Sequence, residues 1–211
     1  PPSLLLVRVR LGLLRTRKAE NMPAFDHPVV CVSIVVGMRV SQVLFGLGQL
    51  VRRRGNDKID PLYLLCNVIV LLVLVDSWWA AFSWHDVPGW SYRRTWFVML
   101  NPLLVTMTAQ LLPPDWEERP LDLHKTYYRN HRLIFGLLAF YPLIDMLDSG
   151  LKGATHFRSL GAGYPVTCTA MAVLCAVAAL IRSRKIEFIC LIFVLLILLS
   201  FIFEVFSLSP M

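Results

Sequence analysis

Six apolar runs divide this chain, and they constrain its fold more than any other feature. A helix needs about 20 mostly apolar residues to cross the hydrocarbon core of a bilayer. The runs predict membrane-spanning helices near residues 28–50, 62–84, 94–112, 132–152, 164–183 and 186–208. The expected fold is therefore all-α, a polytopic transmembrane helix bundle of six spans.

The composition is typical of a membrane protein. Hydrophobic residues make up 56% of the 211 residues, charged residues make up 17%, and the mean hydropathy is +0.60. Soluble domains carry about a quarter charged residues. The length leaves no room for a large soluble domain beside six spans, so residues 22–211 are expected to form a single transmembrane domain. The net charge of +7 comes mainly from Lys and Arg between apolar runs, so it does not indicate nucleic-acid binding.

The first 21 residues differ from the rest, because five basic residues interrupt their leucines. Those charges disfavour a signal peptide, whose central region is uniformly apolar. Met22 is a candidate start, which predicts that residues 1–21 are an N-terminal extension that is not native. An amphipathic helix lying on the membrane surface is the alternative.

The basic residues also predict an orientation. Eleven Lys and Arg residues lie in or beside the loops after the first, third and fifth spans, against four at the loops after the second and fourth. Loops rich in Lys and Arg face the cytoplasm. Both termini are therefore expected outside the cytoplasm, in a multi-pass protein of the cell membrane.

Arg39 lies about midway along the first apolar run. A charge at that depth costs about 3 kcal/mol on insertion scales and by default marks a functional site with a partner. Asp76 on the second span lies at a similar depth, and an arginine–carboxylate pair reduces the cost of burying both groups. The pair predicts either a structural clamp between the first two spans or a site that binds or relays a charged group.

Further polar side chains converge on the outer half of the bilayer when depth is counted at about 1.5 Å per residue. The candidate ligand or ion pathway consists of Arg39, Gln42, Asp76, Asn101, Tyr141, Asp145 and Glu204. Pro102 and Pro142 adjoin two of these residues, and each proline frees a backbone carbonyl one turn earlier. Transporters use broken helices of this kind to line binding sites, although simple kinks are commoner.

Metal and enzyme signatures are weak. His27, His85 and His156 are weak candidates for a metal site at the outer side, because none has the spacing of a recognised ligand motif. The five cysteines lie inside apolar runs and form no CxxC motif. Motifs such as HExxH, GxSxG and the P-loop do not occur. No catalytic residues are assigned, no cofactor is identified, and the sequence favours a protein that is not an enzyme.

Several short motifs in the first four spans and their loops resemble a family of small bacterial six-span integral membrane proteins. The residues that carry the resemblance are Gly37, Ser41, Gln42, Trp78, Trp79, Pro114, Asp115, His124, Tyr127, Tyr128, Asn130 and Arg132. The resemblance implies a six-span topology and the bacterial inner membrane. It implies no activity.

Three functional hypotheses follow. The first is a small transporter or channel with an outward-facing polar crevice centred on a buried arginine–carboxylate pair. The second is a non-catalytic accessory subunit of a larger membrane complex. The third is an integral-membrane enzyme or cofactor protein that uses the outer histidines. Apart from the lipid bilayer, a homo-oligomer or a larger complex is expected, because six helices of this length enclose only a small cavity.

Overall fold

Seven helices account for most of the chain in a computed structural model, which describes residues 26–52, 59–85, 87, 91–117 and 121–208. The predicted extension at 1–21 lies outside the described residues. The helices are α1 (Asp26–Arg52), α2 (Pro61–Phe82), α3 (Tyr92–Gln110), α4 (Leu123–Leu151), α5 (Ala154–Ser159), α6 (Gly163–Leu180) and α7 (Arg184–Leu208). The described part of the chain contains no strand. The prediction of an all-α fold is confirmed.

Local sequence signals fix where the helices begin. Asp60 is the N-cap of α2, where its Oδ1 accepts a hydrogen bond of 2.9 Å from the Leu62 backbone N–H and Pro61 occupies the first helical turn. Asp122 caps α4 in the same way. A side-chain acceptor at the N-cap satisfies one of the backbone donors that a helix start leaves unpaired.

Five of the described helices are long and apolar enough to cross a membrane: α1, α2, α4, α6 and α7. Helix α3 is not among them, although it nearly coincides with the predicted span at 94–112. Its arginines and polar side chains, which include Arg93, Arg94 and Asn101, lower its hydropathy. Multi-pass membrane character therefore rests on five helices, and the sixth span is not confirmed.

The helices pack around α2 and α4. Helix α4 packs against α6 and α3, while α2 contacts α1, α3, α4 and α7. The core between them is apolar and includes Ile69, Val73, Leu138 and Leu191, all buried. Asp60 at the start of α2 meets His124 on α4 at one end of the bundle, which we call the Asp60 end. Lys152 meets the last turn of α2 at the opposite end, the Lys152 end.

One helix start differs from the sequence-based boundary. The fourth span was predicted at 132–152, whereas α4 begins at Leu123. His124 and His131, which precede the predicted span, are therefore helical, and His131 is completely buried. The physical reason is the Asp122 cap, which starts the helix two turns before the apolar run.

Candidate functional site

Two aspartates from neighbouring helices line one crevice in the half of the bundle nearer the Lys152 end. The Tyr141 hydroxyl on α4 donates a hydrogen bond of 2.5 Å to Asp76 Oδ2 on α2. The Tyr164 hydroxyl on α6 donates one of 2.7 Å to Asp145 Oδ2 on α4. Each carboxylate is therefore held by a tyrosine of an adjacent helix, and α4 contributes to both pairs.

A second shell of neutral groups surrounds Asp145. Asn101 Nδ2 on α3 lies 3.5 Å from Asp145 Oδ1. The Ser149 and Tyr164 hydroxyl oxygens are 3.0 Å apart. Because the Tyr164 O–H already donates a hydrogen bond to Asp145, the Ser149 O–H is the donor in this contact. The buried Asn101 Oδ1 has no hydrogen-bond partner among the described residues. The surroundings of this aspartate are thus hydroxyls and an amide.

The crevice is small and mixed in character. Its volume is about 30 Å³, and it is lined by Asp76, Tyr141, Pro142, Asp145, Tyr164, Thr167, Cys168, Met171, Ile197, Leu198 and Phe201. A site of this size with several polar partners suffices for a water molecule. None of the ion pairs found within the described part of the chain includes Asp76 or Asp145. Hydroxyls, an amide and apolar side chains therefore surround two carboxylates that no cation contacts directly.

A buried ion pair closes the Lys152 end. Lys152 Nζ lies 2.6 Å from Asp148 Oδ2, and the two side chains are 3% and 6% exposed. Lys152 also donates to the Ala80 carbonyl on α2 at 3.0 Å, and Trp84 Nε1 donates to Asp148 Oδ1 at 2.8 Å. These bonds tie the end of α4 to the end of α2, next to the crevice.

Arg39 occupies a different place from the one predicted. Its guanidinium donates to the side-chain oxygens of Gln42 and of Gln110 on α3. It shares a second small crevice with Tyr63 and Asn67 from the first two turns of α2. Asp76 lies nine residues beyond Asn67, which is about 13 Å along a helix. The predicted Arg39–Asp76 pair is wrong, because Asp76 faces α4 and Arg39 faces the end of α3.

The structure divides the predicted pathway into two groups. Asp76, Asn101, Tyr141 and Asp145 come together at the crevice, whereas Arg39 and Gln42 lie nearer the Asp60 end. The backbone of Glu204 belongs to α7, and its side chain lies outside the described residues. A single crevice centred on Arg39 therefore does not form.

Several groups beside the crevice were not predicted from the sequence: Tyr164, Ser149, Asp148 and Lys152. A signal for two of them, Asp148 and Lys152, was present. Tyr141, Asp145, Asp148 and Lys152 recur at spacings of four, three and four, which places them on one face of a helix. Tyr164 had no comparable signal, because its partner is on another helix.

The weak histidine candidates do not converge on a metal site. His27 is exposed on α1, His85 stacks on Phe82 after α2, and His156 lies on α5. No group of three or more His, Cys, Asp or Glu side chains in the described ranges is placed to hold a metal ion. Burial lowers the pKa of His156 from its ordinary value, and nearby Lys152 lowers it further while Asp148 opposes the change.

Comparisons with known proteins add no assignment. The sequence matches no protein-family model, and neither a curated protein nor a solved structure shows significant similarity to it.

Proposed function

We propose that this chain is a small multi-pass transport protein that binds protons at the Asp76–Asp145 crevice and moves them, alone or coupled to a solute. The observation that carries the proposal is the position of two carboxylates in one crevice, within the spanning region, with no ion-paired cation among the described residues. An ionised carboxylate is costly in apolar surroundings, so such a group takes up a proton or a cation. Intramembrane carboxylates of this kind form proton relays in pumps and transporters.

The hydrogen bonds support reversible proton binding. Tyr141 and Tyr164 each donate to one oxygen of their aspartate, which stabilises the carboxylate after the proton has left. Among the described residues, the only hydrogen bond to either second oxygen is the long one from Asn101 Nδ2 to Asp145 Oδ1, at 3.5 Å, so both second oxygens can still accept a proton or a water molecule. With both carboxylates at one crevice, charge repulsion favours a state in which one of them holds a proton.

The proposal includes a sixth span formed by α3. Asp60 at the start of α2 and His124 at the start of α4 meet at the same end of the bundle, 2.8 Å apart. The chain reaches the Lys152 end along α2, so α3 is the segment that returns it. Nineteen helical residues extend about 28 Å, close to the thickness of the hydrocarbon core. Asn101 and Thr108 lower the hydropathy of this span, but both are buried between helices and would not face lipid.

In this proposal the Asp60 end faces the cytoplasm and the crevice lies nearer the outer surface, which is the orientation that the Lys and Arg count favours. The resemblance noted above would put the chain in a bacterial inner membrane. Proton exchange with the outer solution then occurs past the Asp148–Lys152 pair, which lies between the crevice and that end. A homo-oligomer is part of the same proposal, since the crevice of one chain is small.

The test is proton flux into liposomes that contain the purified protein. Wild type is compared with Asp76→Asn and Asp145→Asn, with Asp115→Asn as the matched control because Asp115 is an exposed carboxylate outside the helices. The expected result is flux in wild type and the control, and a loss of at least tenfold in either crevice variant. A panel of ions and small solutes, added in turn under a pH gradient, identifies a coupled substrate.

Equal absence of flux in all four proteins, each monodisperse in detergent, overturns the proposal. That outcome favours the accessory-subunit hypothesis, in which the same hydrogen bonds only clamp helices together. Flux that survives both asparagine substitutions would retain transport and remove the crevice from the pathway.

A further inference from the structure

A second polar cluster lies near the Asp60 end, away from the crevice. His131 on α4 and Glu187 on α7 have fully buried side chains, and His131 Nε2 lies 3.2 Å from Glu187 Oε1. The two atoms are close enough for an ion pair but are not aligned for a hydrogen bond. Glu187 Oε1 and both ring nitrogens of His131 have no hydrogen-bond partner within the described part of the chain. Buried groups left in this condition carry a large cost unless a proton or ligand joins them.

The other carboxylate oxygen is fully engaged. Tyr128 donates to Glu187 Oε2 at 2.9 Å, and Tyr127 donates to the same oxygen at 3.3 Å. Glu187 also lies in the first turn of α7, where the helix dipole favours a negative charge. One oxygen of Glu187 therefore accepts hydrogen bonds from two tyrosines, while the second faces an imidazole.

Aromatic and charged groups connect the pair to the surface. Tyr128 packs between His131 and His124, with ring centroids 5.5 Å and 4.6 Å away. His124 Nδ1 lies 2.8 Å from Asp60 Oδ2, and the His124 side chain is 51% exposed. Arg184 donates to Asp60 Oδ1 at 3.0 Å and precedes Glu187 by one helical turn. Solvent is thus one turn away from a completely buried acid–imidazole pair.

An apolar layer separates this pair from the aspartate crevice. His131 and Tyr141 are ten residues apart on α4, which corresponds to about 15 Å. Ile134 and Leu138 lie between them on the same helix face, and both are buried. Along α7, Leu191 and Val194 separate Glu187 from the residues at the crevice in the same way. The two polar clusters are distinct sites.

We propose that His131 and Glu187 form a second proton-binding site that exchanges protons with the Asp60 end of the bundle. One proton shared by the pair gives a neutral unit, either as imidazolium with carboxylate or as imidazole with carboxylic acid. The proton comes from water through the His124 region and returns the same way, so no oxidant or co-reactant is involved. The charged and titratable groups around the pair are Asp60, Cys66, His124, Tyr127, Tyr128, Arg132, Arg182, Arg184 and Cys190.

Proton binding at this pair does not rest on the proposed function, but its use in transport does. In a transporter, the His131–Glu187 pair and the aspartate crevice would be two proton-binding sites on one pathway. The apolar layer containing Ile134 and Leu138 would be the barrier between them. In a protein that transports nothing, the pair would still take up and release a proton. The two proposals therefore fail separately.

The experiment follows histidine-ring nitrogen NMR signals and the infrared carboxyl band of the purified full chain in nanodiscs, between about pH 5 and about pH 8. His131→Gln assigns the ring signal and Glu187→Gln assigns the carboxyl band. Glu117→Gln is the matched control, because Glu117 is an exposed carboxylate outside the helices. The expected result is that one histidine ring signal and one carboxyl or carboxylate band change with the same midpoint, because a single proton binds to the pair. In Glu187→Gln the midpoint of that histidine moves by about one pH unit or more.

A His131 signal that stays constant across this range, with no matching change in the carboxyl band, overturns the inference and leaves a structural pair. If neither variant folds, wild type decides, because the inference requires a histidine ring signal and a carboxyl or carboxylate band that change with the same midpoint. Titration in a protein without proton flux retains the inference and removes the proposed function. Proton flux without this titration retains the proposed function and removes the inference about His131 and Glu187.

Discussion

Tyr141 and Asp76 join α4 to α2 through a hydrogen bond of 2.5 Å, in the half of the bundle nearer the Lys152 end. The hydroxyl donates and the carboxylate accepts, so the bond is strongest while Asp76 is ionised. It therefore links the ionised state of Asp76 to the packing of α4 against α2.

Removing that donor is expected to destabilise the bundle modestly. Tyr141→Phe keeps the ring and deletes the hydroxyl, and hydrogen bonds between membrane helices contribute about 1 kcal/mol. Unfolding in detergent should show a loss of this size, whereas Tyr92→Phe should show none because Tyr92 is exposed. Equal stability of Tyr141→Phe and wild type would mean that the bond contributes nothing to folding.

Arg39 and Asp76 are expected to act independently. Arg39 contacts Gln42 and Gln110, and Asp76 lies about 13 Å further along α2 than the Arg39 crevice. Substitutions at sites this far apart add within about 0.5 kcal/mol. The unfolding free energies of Arg39→Ala, Asp76→Asn and the double variant should therefore be additive. A coupling free energy above about 1 kcal/mol between the two substitutions would instead support the Arg39–Asp76 pair that the sequence predicted.

Removing one partner of the Asp148–Lys152 pair is expected to reduce the folding stability more than any other single substitution at the Lys152 end. Removing one partner of a buried ion pair costs about 3 kcal/mol or more, because the other charge remains buried. Lys152→Met should therefore destabilise more than the double variant Asp148→Asn/Lys152→Met. The comparison is made by chemical unfolding. A double variant as unstable as the sum of its parts would show that the two charges do not interact.

Asp60 combines a helix cap with an ion pair, and two substitutions separate these roles. Asp60→Asn retains an acceptor for the Leu62 N–H but loses the charge that meets Arg184. Asp60→Ala loses both. The alanine variant should be less stable than the asparagine variant by about 1 kcal/mol, the usual contribution of an N-cap. Identical stabilities would show that the cap is not needed to start α2.

Stability is expected to fall in mild acid because of His156. Burial lowers the pKa of this histidine in the folded protein, so the unfolded chain binds a proton more readily. Stability then rises with pH wherever the unfolded state holds more protons. The loss should begin as the pH falls below about 6.5, the ordinary value for histidine.

The check is a series of unfolding curves across that pH range. His156→Gln should flatten the pH dependence, while His27→Gln, an exposed histidine on α1, should leave it as in wild type. A pH dependence unchanged by His156→Gln would assign the effect to other groups.

The helix boundaries followed closely from hydrophobicity. The predicted span at 62–84 corresponds to Pro61–Phe82 and the one at 186–208 to Arg184–Leu208, because apolar length alone defines a spanning helix. The N-terminal end of α4 was missed, since residues 123–131 are too polar to read as a span. Their helix depends on the Asp122 cap and on the burial of Tyr127 and His131 against other helices.

By itself, the sequence determined that the chain is helical, that several helices are long and apolar enough to cross a membrane, and that Asp76, Asn101, Tyr141 and Asp145 lie at similar depths along their helices. Depth is encoded in residue number, because each helical residue advances by a constant rise. The partner of each polar group depends on helix rotation and on which helices are neighbours, and neither quantity is local. Only the tertiary structure therefore turned Asp76 toward Tyr141 instead of Arg39, and brought Glu187 against His131 from helices 56 residues apart in sequence.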